Sequence, residues 1–439
     1  MGISNIIFLV VFSVAITFFI RNLNRIIANI KLGRDIDRSD RSTDRWKNMF
    51  RVAVGQSKMT RRPVAGILHI ILYLGFVIIN IEVIEIIVDG VFGSHRFLSA
   101  ILPFGLYNFL IGSFEILAIL VLVACVIFLI RRNVVRIKRF WSKEMTSWPR
   151  TDANLILIFE ILLMSAFLIM NATDALLFTS GASHYVTSFS NPISQYFQFM
   201  FMGMDTATLV AIERFTWWFH IIGILGFMNY VLISKHLHIF FAFPSTYFAN
   251  LNPLGQFSNL QSVTNEVKLM MDPNADPYAA PADGAVPDKF GASDAIDLNW
   301  VQLLNAYTCT ECGRCTSECP ANQTGKKLSP RKIMMDTRDR LVEVGKNIDS
   351  NNGEFKLDGI QLLGDYITNE EIWACTSCNA CVEACPISID PLSIILEMRR
   401  YLVMEQSAAP MELNNMMSNI ENNGAPWPYN QMDRLNWRE

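Results

Sequence analysis

Eight of the nine cysteines fall in two runs of identical spacing: Cys309-x2-Cys312-x2-Cys315-x3-Cys319-Pro320 and Cys375-x2-Cys378-x2-Cys381-x3-Cys385-Pro386. Three thiolates two residues apart let one tight loop curl over three irons of a [4Fe–4S] cube. The fourth iron is reached from farther away, usually by the last cysteine of the other run. The spacing therefore predicts one cube on Cys309, Cys312, Cys315 and Cys385, and a second on Cys375, Cys378, Cys381 and Cys319. Zinc sites would want paired C-x2-C motifs without the trailing Cys-Pro. Disulfides would need an oxidising compartment, which the topology argued below denies this region. The chemistry is one-electron transfer. Cys125 lies in an apolar stretch and reads as a small buried hydrophobe.

The elements that must carry these loops divide the chain in two. Hydrophobic residues make up 51% of it, but the long apolar runs stop near residue 243. A bilayer-spanning helix needs about 20 apolar residues, and five segments qualify: 3–20, 64–88, 103–130, 153–178 and 211–234. The first lacks a basic leader and a small-residue cleavage site and is followed directly by Arg21, so it reads as a span rather than a cleaved signal. Twelve Lys and Arg lie between the first and second spans, among them Arg21, Arg34, Arg61 and Arg62, and seven between the third and fourth, including Arg131, Arg132 and Arg136. The other two loops hold Arg96 alone and none. The positive-inside rule then puts the N-terminus outside and the cysteine runs in the cytoplasm of a multi-pass protein of a bacterial or archaeal cytoplasmic membrane. The apolar stretch Pro192–Met204 is too short to span and reads as lying in the outer interface.

The predicted fold is mainly α: a five-helix membrane domain over 1–243, a linker over 244–299 rich in Ala, Pro and Asp around Asp272–Asp297, a helical ferredoxin domain with two [4Fe–4S] clusters over 300–405, and a tail over 406–439. Helices are expected at 331–344, where Ser329-Pro330 opens an amphipathic pattern, at 368–374, and at 390–405 after Asp390-Pro391. No GxGxxG, GxxxxGK[ST] or basic, aromatic-interleaved patch points to nucleotide or nucleic acid.

A histidine inside a span is costly and marks function. His69 lies in the second span near its inner end, and His220 and His238 lie in and just beyond the fifth. On one helix their 18-residue spacing, five turns, puts them on one face about 27 Å apart, with His236 turned about 160° from His220 in a capping or snorkelling role. His69 and His238, both near the inner surface, form the candidate bis-imidazole pair for a b-type haem. His220 is open to two roles, ligand of a second haem or part of a quinone site with Asn80. Its counterpart on the second helix would be Ile79 or Asn80, and His95 and His184 in outer loops are the available substitutes. Glu82, Glu85, Glu115, Glu160 and Asp174 also fall in spans. They are either protonated or paired near helix ends, or part of a proton route, with Glu115 and Glu160 the deepest.

Five spans with His69 in the second and His220 and His238 in the fifth resemble the haem-b gamma subunit of respiratory nitrate reductase over about residues 1–240. The stretches Ser234-Lys235-His236-Leu237-His238, Cys309-Thr310-Glu311-Cys312-Gly313-Arg314-Cys315 and Leu328-Ser329-Pro330-Arg331-Lys332 resemble the membrane-bound heterodisulfide-reductase-like iron–sulfur oxidoreductases. That group includes proteins passing electrons from electron-transfer flavoprotein to menaquinone. The resemblance implies a membrane electron-transfer subunit linking a cytoplasmic partner, through two clusters and haem b, to menaquinone. Such proteins usually continue into cysteine-rich CCG domains. This sequence has no adjacent cysteines, which implies a separate CCG-type iron–sulfur subunit or an electron-transfer flavoprotein as partner. The competing expectation, from another class, is a membrane anchor or assembly subunit whose clusters are structural.

Overall fold

The computed structural model describes residues 2–185, 191–273 and 289–438; the middle of the expected linker, 274–288, lies outside the described residues. The fold is mainly helical, and among the described residues there are only two isolated β-bridges and no strand. Five helices are long and apolar enough to cross a bilayer: Ile3–Ile30, Pro63–Phe92, Phe104–Asn133, Ser147–Thr179 and Thr206–Val231. A lipid-facing backbone must satisfy its own hydrogen bonds, which is why these apolar runs form uninterrupted helices.

Local chemistry sets their ends. Pro63 opens the second helix at a position whose N–H has no helical acceptor. Gly93 closes it in the left-handed region at φ +75°, its N–H donating to the Asp89 carbonyl. The Asp205 carboxylate caps the fifth by accepting from the Thr208 N–H. The second to fifth helices share a core around Ile111, Phe114, Phe167 and Ile221. The first packs on the second and fifth, and leaves Ile6, Val10, Val14 and Phe18 exposed, as suits a lipid-facing flank.

The fifth helix departs from expectation. The sequence predicts it over 211–234 with His238 in continuous register with His220. It ends instead at Val231, and His238 begins a separate helix, His238–Tyr247, after a 3-10 turn over Lys235–Leu237. The break has a cause: the Ser234 hydroxyl accepts from the His236 N–H, and the Asp152 carboxylate accepts from the Lys235 N–H. The shared-face argument for His220 and His238 therefore does not apply. The reading of His236 as snorkelling also changes, because its ring packs on Phe227 and His238.

The cluster domain is built on the helices Trp300–Thr308, Pro330–Ser350 and Pro391–Met404, which share one apolar core. Residues 289–299, expected as linker, already belong to it, with Ala292, Ala295 and Leu298 fully buried. The core continues into the membrane domain through Ile26, Ile30, Leu232 and Phe241. The first spanning helix reaches the domain directly: Arg34 N–H donates to the Leu298 carbonyl at 2.8 Å, and Trp300 N–H donates to the Arg34 carbonyl at 3.1 Å. The two parts are thus one packed body. In the tail, the helix Met411–Asn423 buries no residue, and Trp427, Tyr429 and Trp437 are exposed.

Candidate metal centres

The two cysteine runs fold alike. Glu311 and Ser377 take left-handed φ of +54° and +56°, and so do Gly313 and Asn379 after the middle cysteines, at +69° and +60°. Each left-handed residue turns the loop sharply, and alternation of such turns lets successive thiols point inward. The short helices Arg314–Glu318 and Ala380–Ala384 follow and pack against one another. Because the two units face each other, the last cysteine of each leans toward the other's loop. Cys309, Cys312, Cys315 and Cys385 line one cavity, together with Gly313, Arg331 and Pro386. Cys319 lies electrostatically beside Cys375 and Cys381. Among the described residues no three His, Cys, Asp or Glu groups are arranged to hold a single metal ion; the first four sulfurs instead surround a cavity.

Burial pushes the Cys309 thiol up to about 12 and that of Cys385 to about 11, and it raises Cys315, Cys375 and Cys381 as well. Iron must displace those protons, so loading couples to proton release. The Ile389 N–H donates to the Cys385 sulfur at 3.3 Å and the Ser377 N–H to the Cys375 sulfur at 3.4 Å. Donors of this kind stabilise electron-rich sulfur. Cys378 is the exposed member of the eight.

A pair of imidazoles lies near the first cysteine loop, His69 within electrostatic reach of Arg314 and His238 three residues from Lys235, which bonds Glu311. The His69 and His238 ring centres are 6.3 Å apart with planes inclined by 39°. Two imidazoles holding one metal between them, each with a metal–nitrogen bond of about 2.0 Å and a nitrogen about 1.1 Å from its ring centre, would have centres about 6.2 Å apart, close to this spacing. The His238 Nδ1 lies 3.0 Å from the Lys235 carbonyl. A carbonyl only accepts, so Nδ1 carries the proton and Nε2 keeps a free lone pair. Burial lowers the His238 pKa and keeps the ring neutral. The His69 Nδ1 is buried without a protein partner. Spacing, tautomer and the orphaned nitrogen all fit a bis-imidazole group such as haem b.

His220 is different. Its Nδ1 bonds the Leu163 carbonyl at 3.0 Å and its ring meets Phe167, but no second imidazole faces it among the described residues. Ile79 is buried in the helix core, and the Asn80 amide turns back to the Phe76 carbonyl of its own helix. His95 and His184 meet at a tilt and both meet Tyr185 edge-on, and His95 Nε2 lies 3.2 Å from Asp174. These contacts disfavour a second bis-histidine haem.

Four of the five membrane carboxylates are paired. Arg96 donates to Glu82 at 2.8 Å, to Asp174 at 3.2 Å and to Asn171 at 2.6 Å. Glu85 accepts from the Tyr107 hydroxyl and Leu98 N–H, and Glu115 from Asn171, Ser194 and the Ile193 N–H. Glu160 makes no hydrogen bond or ion pair among the described residues.

The residues that join the cysteine loops to the membrane domain are not evident in the sequence, because their partners lie far away in the chain. Arg314 donates to the Lys58 and Met59 carbonyls at 3.1 and 3.2 Å, and Arg62 to Ser317 and Glu318 at 2.8 and 2.9 Å. Fully buried Arg331 donates to Glu144 at 2.6 Å and to the Arg139 carbonyl at 2.7 Å. Lys235 donates to Glu311 and to the Pro149 carbonyl, each at 2.5 Å. A Cβ on Gly313 would stand 2.5 Å from the Arg331 Nη1, so glycine there serves both the left-handed turn and the close approach.

This geometry agrees with the comparisons to known proteins. Residues 308–389 match the family described as a 4Fe-4S dicluster domain. The chain is 30% identical to the probable iron–sulfur-binding oxidoreductase FadF of Bacillus subtilis, covering 99% of this chain and 60% of that protein. It is 28% identical to the EtfAB:quinone oxidoreductase of Syntrophomonas wolfei, covering 92% and 55%. Over 34% of its length it is 31% identical to a probable membrane-anchored ferredoxin of Chromohalobacter salexigens, of which it covers 24%. Shorter matches, over 27% and 19% of this chain, are to heterodisulfide reductase subunits C of Methanosarcina acetivorans and Methanopyrus kandleri. The chain thus spans a little over half the length of the two relatives it matches throughout. No solved structure matches it. Its homologues are iron–sulfur oxidoreductases and heterodisulfide-reductase-like proteins, which supports an electron-transfer role.

Proposed function

We propose that this chain is the membrane electron-transfer subunit of a quinone-linked respiratory oxidoreductase, passing electrons between a cytoplasmic iron–sulfur or flavoprotein partner and menaquinone. Cys309, Cys312, Cys315 and Cys385 hold the inner [4Fe–4S] cluster, Cys375, Cys378, Cys381 and Cys319 the outer one, and His69 and His238 a haem b. Bound there, these groups supply reversible one-electron chemistry, and the protein supplies spacing, orientation and electrostatics. The N-terminus lies outside and the cysteine loops lie on the cytoplasmic face, next to the basic loops. The exposed position of Cys378 makes the second loop the natural meeting point for a CCG-type subunit or an electron-transfer flavoprotein. His220 is left to the quinone side of the reaction.

The observation that carries the reading is the junction itself. A four-cysteine cavity and a facing pair of neutral imidazoles at bis-ligand spacing are tied together by buried side chains within a few residues of each. A chain with merely structural clusters has no need of that arrangement. The test is anaerobic purification followed by iron, sulfide and haem analysis, then addition of a menaquinol analogue. About eight non-haem irons, one haem b and reduction of the haem by quinol are expected. Clusters without haem, or haem inert to quinol, would leave the anchoring role.

A further inference from the structure

At the junction between the imidazole pair and the first cysteine loop lies one buried ion pair. The Lys235 Nζ is 2.5 Å from a Glu311 carboxylate oxygen, with side chains 10% and 3% exposed. The other Glu311 oxygen accepts from Arg338 at 2.7 Å, on the long helix Pro330–Ser350. The Lys235 Nζ also donates to the Pro149 carbonyl at 2.5 Å and lies 3.9 Å from Asp152, at the inner end of the fourth spanning helix. Lys235 is thus where three elements meet: the end of the fifth helix, the start of the fourth and the cysteine loop.

Its position in sequence gives this meeting point a direction. The Lys235 carbonyl is the acceptor that fixes His238 Nδ1. Glu311 sits between Cys309 and Cys312 in the strained left-handed conformation at φ +54°, which an ordinary side chain adopts only when its surroundings hold it. One residue therefore orients the imidazole through its backbone and grips the cysteine loop through its side chain. Each Glu311 carboxylate oxygen thus has one cationic partner, Lys235 on one side and Arg338 on the other.

We infer that the Lys235–Glu311 pair is a positioning bridge that fixes the first cysteine loop against His238 and sets the electrostatic balance between the two redox sites it separates. The inference rests on the haem and cluster assignments above. In the exchange the bridge serves, one electron leaves one centre and enters the other, with no bond made or broken. The bridge contributes geometry and charge. Arg338, already bonded to Glu311, is the anchor on the far side.

The two members act with opposite sign. A nearby cation favours the electron-rich state of a redox group and an anion disfavours it. Lys235→Met removes a cation next to the imidazole pair, and Glu311→Gln removes an anion. Both variants keep the side-chain length, and Lys235→Arg keeps the charge as a control for folding. The experiment is a potentiometric optical titration of the whole purified protein, with hydrogen exchange over residues 309–315 and 235–240 as the structural readout. The expected result is a haem midpoint potential shifted downward in Lys235→Met, upward in Glu311→Gln and close to wild type in Lys235→Arg, with faster exchange in the cysteine loop for the first two. A general loss of packing would move both potentials the same way, and that outcome would overturn the bridge. So would potentials and exchange unchanged in both variants while the wild type holds haem. Wild-type protein without haem would overturn the functional reading first, and the bridge with it.

Discussion

Arg331→Ala is the most informative single perturbation of the contact between the two parts of the molecule. Arg331 is fully buried, and its guanidinium bonds Glu144 at 2.6 Å, the Arg139 carbonyl at 2.7 Å and the Ser142 hydroxyl. Glu144 is itself only 10% exposed and would keep the bond it accepts from the Ser329 hydroxyl at 2.7 Å. Removing one member of a buried pair strands the other charge and costs about 3–5 kcal/mol. The lower end applies here because Ser329 remains, and Arg62, Arg314 and Lys235 still hold the domain. About 3 kcal/mol corresponds to roughly a hundredfold change in the equilibrium between seated and unseated loop. Hydrogen exchange on the whole protein should therefore quicken by about a hundredfold at the amides of Ser142–Met145 and Arg314–Glu318, if they exchange through this opening. Arg331→Ala combined with Glu144→Gln removes both charges and should recover part of the loss, with a coupling of about 1–3 kcal/mol. Exchange in Arg331→Ala within about threefold of wild type, or a double variant as damaged as the sum of the singles, would mean that the Arg331–Glu144 pair does not seat the loop.

Three further outcomes follow from the same geometry. Cys385→Ser should abolish the cluster held by the Cys309 run and Cys319→Ser the one held by the Cys375 run; EPR spectra in which each substitution removed the cluster of its own run would reject the crossed arrangement. The Glu144 carboxyl is held below its ordinary value, burial raising it but Arg331 and Ser329 outweighing that. Its contribution is therefore fully present above pH of about 4.5 and lost as pH falls through the depressed value, so wild type should show a steeper acid-side loss of loop protection than Glu144→Gln. A Cβ at Gly33 would stand 2.6–2.9 Å from backbone atoms of Leu298, Asn299 and Trp300, so Gly33→Ala should cost about 1–3 kcal/mol in thermal unfolding, whereas Gly226→Ala, with open space around its Cβ, should be neutral or slightly stabilising.

Much of the fold was legible because lipid imposes a simple code. Apolar length alone identified all five spanning helices, and Ser329-Pro330 and Asp390-Pro391 marked the starts of two cluster-domain helices whose N-caps are Ser329 and Asp390. The cysteine spacing carried its chemistry directly, since ligand geometry is local. The break after Val231 was not legible, because it depends on Asp152 reaching across from another helix to the Lys235 N–H. The common face read for His220 and His238 fails for that reason, whereas the pairing of His69 with His238 needed only their similar depth. The docking role of Arg62 was hidden in a basic loop that already had an explanation in membrane orientation, and those of Arg314, Arg331 and Lys235 depend on partners about 80 to 260 residues away in the chain. A signal was present in retrospect: charged residues inside the cysteine runs, Glu311 and Arg314, at positions where a free loop would need none.

The proposed coupling of two crossed cysteine cradles to an imidazole pair is open to low-temperature EPR of purified wild type and His69→Ala. Two [4Fe–4S] signals are expected in both proteins and a low-spin bis-imidazole haem signal in wild type alone. A wild type without the haem signal, or a His69→Ala variant that retains it unchanged, would contradict that coupling.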